Sequence, residues 1–85
     1  MNIQEMKSKL GEHWDELIPD ALNIIKDVGY CSTSCLQRRL RIGYAKAARI
    51  IDILEEQGIV SPINPIEPRK ILIDLTELIG DSELK

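Results

Sequence analysis

The sequence predicts a mainly α domain: a winged helix-turn-helix of three helices followed by a two-stranded β-hairpin wing, with an extra helix at the N-terminus. Three observations predict it. Apolar residues recur at helical spacing in three successive stretches, which are punctuated by Gly29 and by Ile42-Gly43 and closed by Gly58. Beyond Gly58, two short runs rich in Ile and Val flank a segment with three prolines, the pattern of two strands around a stiff loop. At 85 residues and 44% hydrophobic content, with no Phe, the chain can fill one aliphatic core but not two.

In chain order, Ile3, Met6, Leu10 and Trp14 fall at helical spacing and predict an accessory helix over residues 2–14, broken near Gly11. In the next helix Leu17, Ile18, Ala21, Leu22, Ile25 and Val28 form the stripe, Pro19 fits the first turn, and Gly29 ends it. Ser32 then stands where a cap is needed for a helix whose stripe is Leu36 and Leu40 and whose outer positions are arginines. Ile42-Gly43 makes the turn into a longer helix, stopped by Gly58. At about 100° per residue, Tyr44, Ala47, Ala48, Ile50, Ile51 and Leu54 gather on its inner side, leaving Ala45, Lys46, Arg49, Asp52, Ile53 and Glu56 outside. Ala47 and Ala48 are small enough for the preceding helix to cross closely. Ile59-Val60-Ser61 and Lys70-Ile71-Leu72-Ile73 are the predicted strands, with Pro62, Pro65 and Pro68 between them removing backbone donors. The organisation is therefore an accessory segment at residues 1–14, a winged-helix domain at 15–75 and an acidic tail at 76–85, with one helical turn around Leu78-Ile79.

Charge is sorted along this frame. The chain carries a formal charge of −3 and a pI near 5.1, yet between Gln37 and Arg49 there are five cations (Arg38, Arg39, Arg41, Lys46, Arg49) and no acid. A basic face on an acidic domain points to a polyanion docked in one place. A solvated face with i,i+4 pairing is the plainer reading, but the window holds no acid to pair with. No apolar run approaches the roughly 20 residues of a bilayer span, and the N-terminus, with Glu5 early, does not resemble a secretion signal. A cytoplasmic location without membrane contact is the expectation. Cys31 and Cys35 lie four apart, but structural zinc needs four ligands and His13 is the sole histidine, so two reduced, partly buried thiols are expected and no metal. His13 is expected on the surface. With no clustered nucleophile and base, and no GxxxxGKS or GxxxxGKT phosphate loop, neither an enzyme nor a cofactor is expected of these 85 residues.

The run Ser32-Thr33-Ser34, then Leu36-Gln37-Arg38-Arg39-Leu40-Arg41-Ile42-Gly43-Tyr44, then Ala47-Ala48-Arg49 and Leu54-Glu55 with Gly58-Ile59-Val60, closely resembles the gamma domain. This is the C-terminal DNA-reading module of FtsK/SpoIIIE-type DNA translocases. Asp15-Glu16-Leu17 resembles its opening, and Pro68-Arg69 with Ile71-Leu72 its closing strand, so the resemblance covers about residues 15 to 73. It implies recognition of short, G-rich, strand-asymmetric sequences that orient a translocase on the chromosome during segregation and cell division. For some members it also implies contact with the site-specific recombinase that resolves chromosome dimers. Two positions depart from the pattern: Ala45 stands where many members carry a polar residue, and Lys46 replaces the usual Arg. Arg49 and an acid at Asp52 are retained.

The expected mode of action follows. The helix from about Tyr44 to Gln57 enters the major groove by its N-terminal half, with Tyr44 and Ala45 at its tip. Arg49 is the candidate for a bidentate contact to guanine O6 and N7, and Asp52 either accepts from a cytosine amino group or is a solvated acid tethering Arg49. Arg38, Arg39, Arg41 and Lys46 contact phosphates. Arg69 and Lys70 are wing candidates for phosphate or minor-groove contact. Sequence-directed double-stranded DNA binding is the leading function. The alternative is a protein-interaction winged helix that contacts a recombinase or another subunit.

Overall fold

A computed structural model describes residues 3–63, 66–67 and 69–75. The expected acidic tail at 76–85 and its turn around Leu78-Ile79 lie outside the described residues. Among the described residues four α-helices follow one another: α1 (Ile3–Leu10), α2 (Ile18–Val28), α3 (Thr33–Leu40) and α4 (Tyr44–Glu56), with a 3-10 turn at Gly11–His13 after α1. The accessory helix thus ends where Gly11 takes a positive φ of 55°.

α2 begins on an Asx turn, the Leu17 N–H donating to Asp15 Oδ1 at 2.8 Å, with Pro19 in the first turn where no donor is missed. It stops at Gly29, whose φ of 94° lets its N–H return to the Ile25 carbonyl at 2.8 Å. Its stripe is fully buried at Ile18, Ala21, Leu22 and Ile25. These join Leu36 of α3, Ala47, Ile50, Ile51 and Leu54 of α4, and Ile59 and Val60 beyond it, in one aliphatic cluster. Met6 of α1 is fully buried in the same cluster, while Ile3, Leu10 and Trp14 pack against its edge. Truncating any one of the large members to Ala would cost about 2–5 kcal/mol.

Two face assignments on α4 are corrected. Tyr44, placed on the inner side by periodicity, is 67% exposed. It is the first residue of the helix, and periodicity does not say how far along a helix the core extends. Ile53, placed outside, is buried at 6%, because the N-terminal segment covers it: Leu10 and His13 share a cleft with it.

The expected two-stranded hairpin is formed only in part among the described residues. Val60 and Ile71 form an antiparallel bridge flanked by Ser61 N–H to Lys70 O (2.9 Å) and Leu72 N–H to Ile59 O (2.8 Å). The intended residues therefore pair in the intended direction, but among the described residues the pairing stays an isolated bridge and no regular strand develops. The reason is local. The Lys70 N–H donates to the Ser61 side chain at 2.8 Å rather than to the Ser61 carbonyl that the ladder would use. A second bridge, Cys31 to Arg69, ties this segment to the α2–α3 connection through the Cys31 N–H and Arg69 O at 3.0 Å.

Candidate nucleic-acid interface

α3 is nucleated by its cap. Ser32 is extended (φ −143°, ψ 133°) and its Oγ accepts from the Cys35 N–H at 3.3 Å, an arrangement worth about 1 kcal/mol. Cys35 and Leu36 face inward, leaving Arg38 and Arg39 on the exposed side. The helix ends in a left-handed residue, which is Arg41 (φ 57°, ψ 50°) and not the glycine two positions on; Gly43 has φ −75° and caps α4. Arg41 and Ile42 both donate backbone N–H groups to the Gln37 carbonyl, which turns the chain sharply and sends Ile42 back to the core. A non-glycine residue in this conformation carries a conformational cost of about 1 kcal/mol. It leaves the Arg41 side chain exposed at the apex of the turn.

α3 and α4 form the most extensive helix-to-helix contact among the described residues. Ala47, fully buried, and Ala48, half-buried, present no bulk on the packed side of α4. The outward side begins with Tyr44, Ala45, Lys46 and Arg49, all exposed, and continues with exposed Asp52 and Glu56. The structure therefore brings Arg38, Arg39, Arg41, Tyr44, Ala45, Lys46, Arg49 and Asp52 to the exposed surface of one helix-turn-helix.

The cations do meet acids, supplied from outside the window in which sequence showed none. Arg39 Nη2 lies 3.5 Å from Asp27 Oδ2 of α2, and Lys46 Nζ 3.8 Å from Asp15 Oδ2. Both pairs are solvated and loose, the kind worth at most about 1 kcal/mol, so each side chain remains available to a stronger anionic partner.

Arg69, expected as a wing contact, is held differently from these exposed cations. Its side chain is 13% exposed; Nη1 is 2.6 Å from Glu55 Oε1 and donates to the Ser61 carbonyl at 3.0 Å. The guanidinium is spent on bracing the segment after α4 against that helix. Lys70, by contrast, projects into solvent with Glu67 3.4 Å away. The aliphatic residues Ile63 and Ile66 of the same segment are 78% and 88% exposed.

Both cysteines are free and buried. Burial pushes the Cys31 thiol up to about 11, with Arg69 opposing and Cys35 reinforcing the shift, so at neutral pH it is a protonated thiol. Among the described residues no group of three or more His, Cys, Asp and Glu is placed to hold a metal ion, and no helix is long and apolar enough to cross a membrane.

The N-terminal segment is the part of the site that sequence reasoning missed. Lys9, Leu10 and His13 lie across an open cleft from Arg49, Asp52 and Ile53. The available signal was Ile53 itself, an aliphatic residue among charged ones on an outer helix face, which needs a cover.

Fold and surface together define a helix-turn-helix domain with a basic face confined to α3, the turn and the first half of α4. The Ftsk gamma domain family matches residues 12–74, and the chain belongs to that family. It is 51% identical over 69 residues to a DNA translocase FtsK of Caldanaerobacter subterraneus, a match covering 81% of this chain and 10% of the relative. It is 48% identical over 68 residues to DNA translocase FtsK of Clostridium tetani, covering 80% of this chain and 9% of the relative. With DNA translocase SftA of Bacillus subtilis it shares 43% identity over 67 residues, covering 79% and 7%. The chain thus spans about a tenth or less of the length of the curated relatives it matches.

Proposed function

We propose that this chain binds double-stranded DNA in a sequence-directed way, with residues 15–75 as a winged-helix binding unit, residues 1–14 as its accessory segment and 76–85 as an acidic tail. The single observation that carries the proposal is the exposed run of cations on α3, the turn and the first half of α4, set on a chain of net charge −3. α4 enters the major groove by its Tyr44 end. Arg49, one turn in from Ala45, is placed for guanine O6 and N7, and Asp52, three residues further, for a cytosine amino group. Arg38, Arg39, Arg41 and Lys46 flank that helix tip and take phosphates, fixing register without reading bases. Lys70 reaches a phosphate from the wing position, while Arg69 holds that segment in place.

Membership of the gamma family favours a short, G-rich, asymmetric duplex as the target, and a role in orienting a DNA translocase during chromosome segregation and cell division in the cytoplasm. The ATP-driven step belongs to other parts of such a machine. A second reading is supported by exposed Ile63 and Ile66: the segment beyond α4 meets a protein, either a recombinase or another subunit, while α4 holds DNA. Competition between a G-rich asymmetric duplex and its scrambled counterpart, read by fluorescence anisotropy, tests the proposal. A preference for the G-rich duplex of tenfold or more is expected; equal affinity for both would remove the sequence-directed part of it.

A further inference from the structure

The proposed function leaves the N-terminal segment without a role, although it lies beside the reading helix. α1 precedes the stretch that matches the gamma family, residues 12–74, and is fixed to this domain by Met6, which is fully buried. From its last turn the chain runs beside α4. Lys9, Leu10 and His13 face Arg49, Asp52, Ile53 and Glu56 across an open cleft of about 770 Å³. Further on, Asp15 reaches Lys46, near the other end of the same helix side.

The charges across this cleft are arranged in a particular way. The first half of α4 carries Lys46 and Arg49, and the second half carries Asp52, Glu55 and Glu56. Glu55 is compensated by Arg69, but Asp52 and Glu56 are exposed on the side that meets DNA in the proposed docking. Where a recognition helix leaves the major groove it passes a phosphate strand, and uncompensated carboxylates there repel it. Lys9 and His13, both exposed, line the same cleft as those carboxylates and Arg49.

Resting on the DNA-binding reading, we propose that Lys9 and His13 form a second phosphate-contacting strip. The Lys9 ammonium and a His13 ring N–H donate to the oxygens of the DNA strand that α4 passes on leaving the groove, and the Lys9 charge offsets Asp52 and Glu56. The buried Met6 anchor gives the strip a fixed distance from Arg49, so base reading and backbone grip share one register.

The test is a salt titration of duplex binding for the full chain and for Lys9→Gln, His13→Gln, Lys9→Arg and the double variant Lys9→Gln/His13→Gln, with hydroxyl-radical footprints of each complex. Because these side chains are exposed, thermal unfolding should be unchanged. Lys9→Gln is expected to lose about five- to tenfold in affinity at 0.1 M salt on specific and scrambled duplexes alike, and to make the slope of log K against log salt shallower by about 0.9. Lys9→Arg restores both, and the double variant loses protection on one flank of the footprint. If wild type binds and the variants keep its slope and footprint, the strip does not exist. If wild type itself binds no duplex, the DNA-binding reading falls and takes this inference with it.

Discussion

Two regions of this molecule carry arginine and lysine beside a turn, and they use them in opposite ways. In the helix-turn-helix, Arg38, Arg39, Arg41, Lys46 and Arg49 are exposed, and the acids that reach two of them do so loosely, at 3.5 and 3.8 Å. In the segment after α4, Arg69 is drawn inward to a 2.6 Å pair with Glu55, while aliphatic Ile63 and Ile66 are turned out. A cation's role is set by the nearest acid in space and by its access to water. Arg69 stabilises the fold because its guanidinium is shielded and geometrically satisfied. The cations of α3 and α4 contribute little to the fold, which leaves them free for a ligand.

The sharpest way to break this comparison is to remove one arginine from each region. Arg69→Ala should lower unfolding stability by about 1–3 kcal/mol, since a charged hydrogen-bonding group is lost and Glu55 is left without its partner, as read from urea denaturation. The affinity of the folded fraction for duplex should barely move. Arg49→Ala should do the reverse, leaving the urea midpoint in place while erasing about 1–3 kcal/mol of preference for the specific duplex. Arg39→Ala, as a phosphate contact, should weaken all duplexes alike. Competition binding with both duplexes separates the last two; loss of preference in Arg39→Ala equal to that in Arg49→Ala would refute Arg49 as the reader.

Arg41 belongs to both kinds of region, since its backbone is strained and its side chain is free. Arg41→Gly should raise stability by about 0.5–1 kcal/mol by relieving the left-handed residue, and should make the salt dependence of DNA binding shallower by about 0.9. Thermal unfolding and a salt titration on the same sample check both signs.

The smallest effect is expected at Asp15→Asn. The amide oxygen can still accept the Leu17 N–H that starts α2, but the charge beside Lys46 is gone. Duplex affinity should rise by about two- to fivefold, the range of an exposed ion pair, with the thermal midpoint held. A fall in affinity would mean that Asp15 positions Lys46 and does not compete for it.

The helices, most of their caps and most of the core were legible in the sequence because the cause of each is local. Ser32, Pro19, Gly29 and Gly58 act within one turn of where they stand, and the α2 stripe needs only its own period. The Ser32-to-Gly58 run and its relation to the gamma family were equally legible. What was not legible depends on residues distant in sequence. Asp27 and Asp15 find Arg39 and Lys46 only once α2 and the segment before it have packed. Glu55 finds Arg69 across a gap of fourteen residues. Ile53 is covered by a segment forty residues earlier in the chain, beyond the reach of helical periodicity. The hairpin shrank to a single bridge because one side chain, Ser61, took the Lys70 N–H that the ladder needed.

If the exposed cations of α3, the turn and α4 grip the phosphates of duplex DNA, the affinity of the full chain for duplex DNA must depend on salt concentration. With four or five phosphates neutralised, log K should fall against log salt with a slope of about −4, at roughly −0.9 per phosphate. Binding that is indifferent to salt, or no binding even at low salt, would contradict the account and leave a protein partner as the reading of this surface.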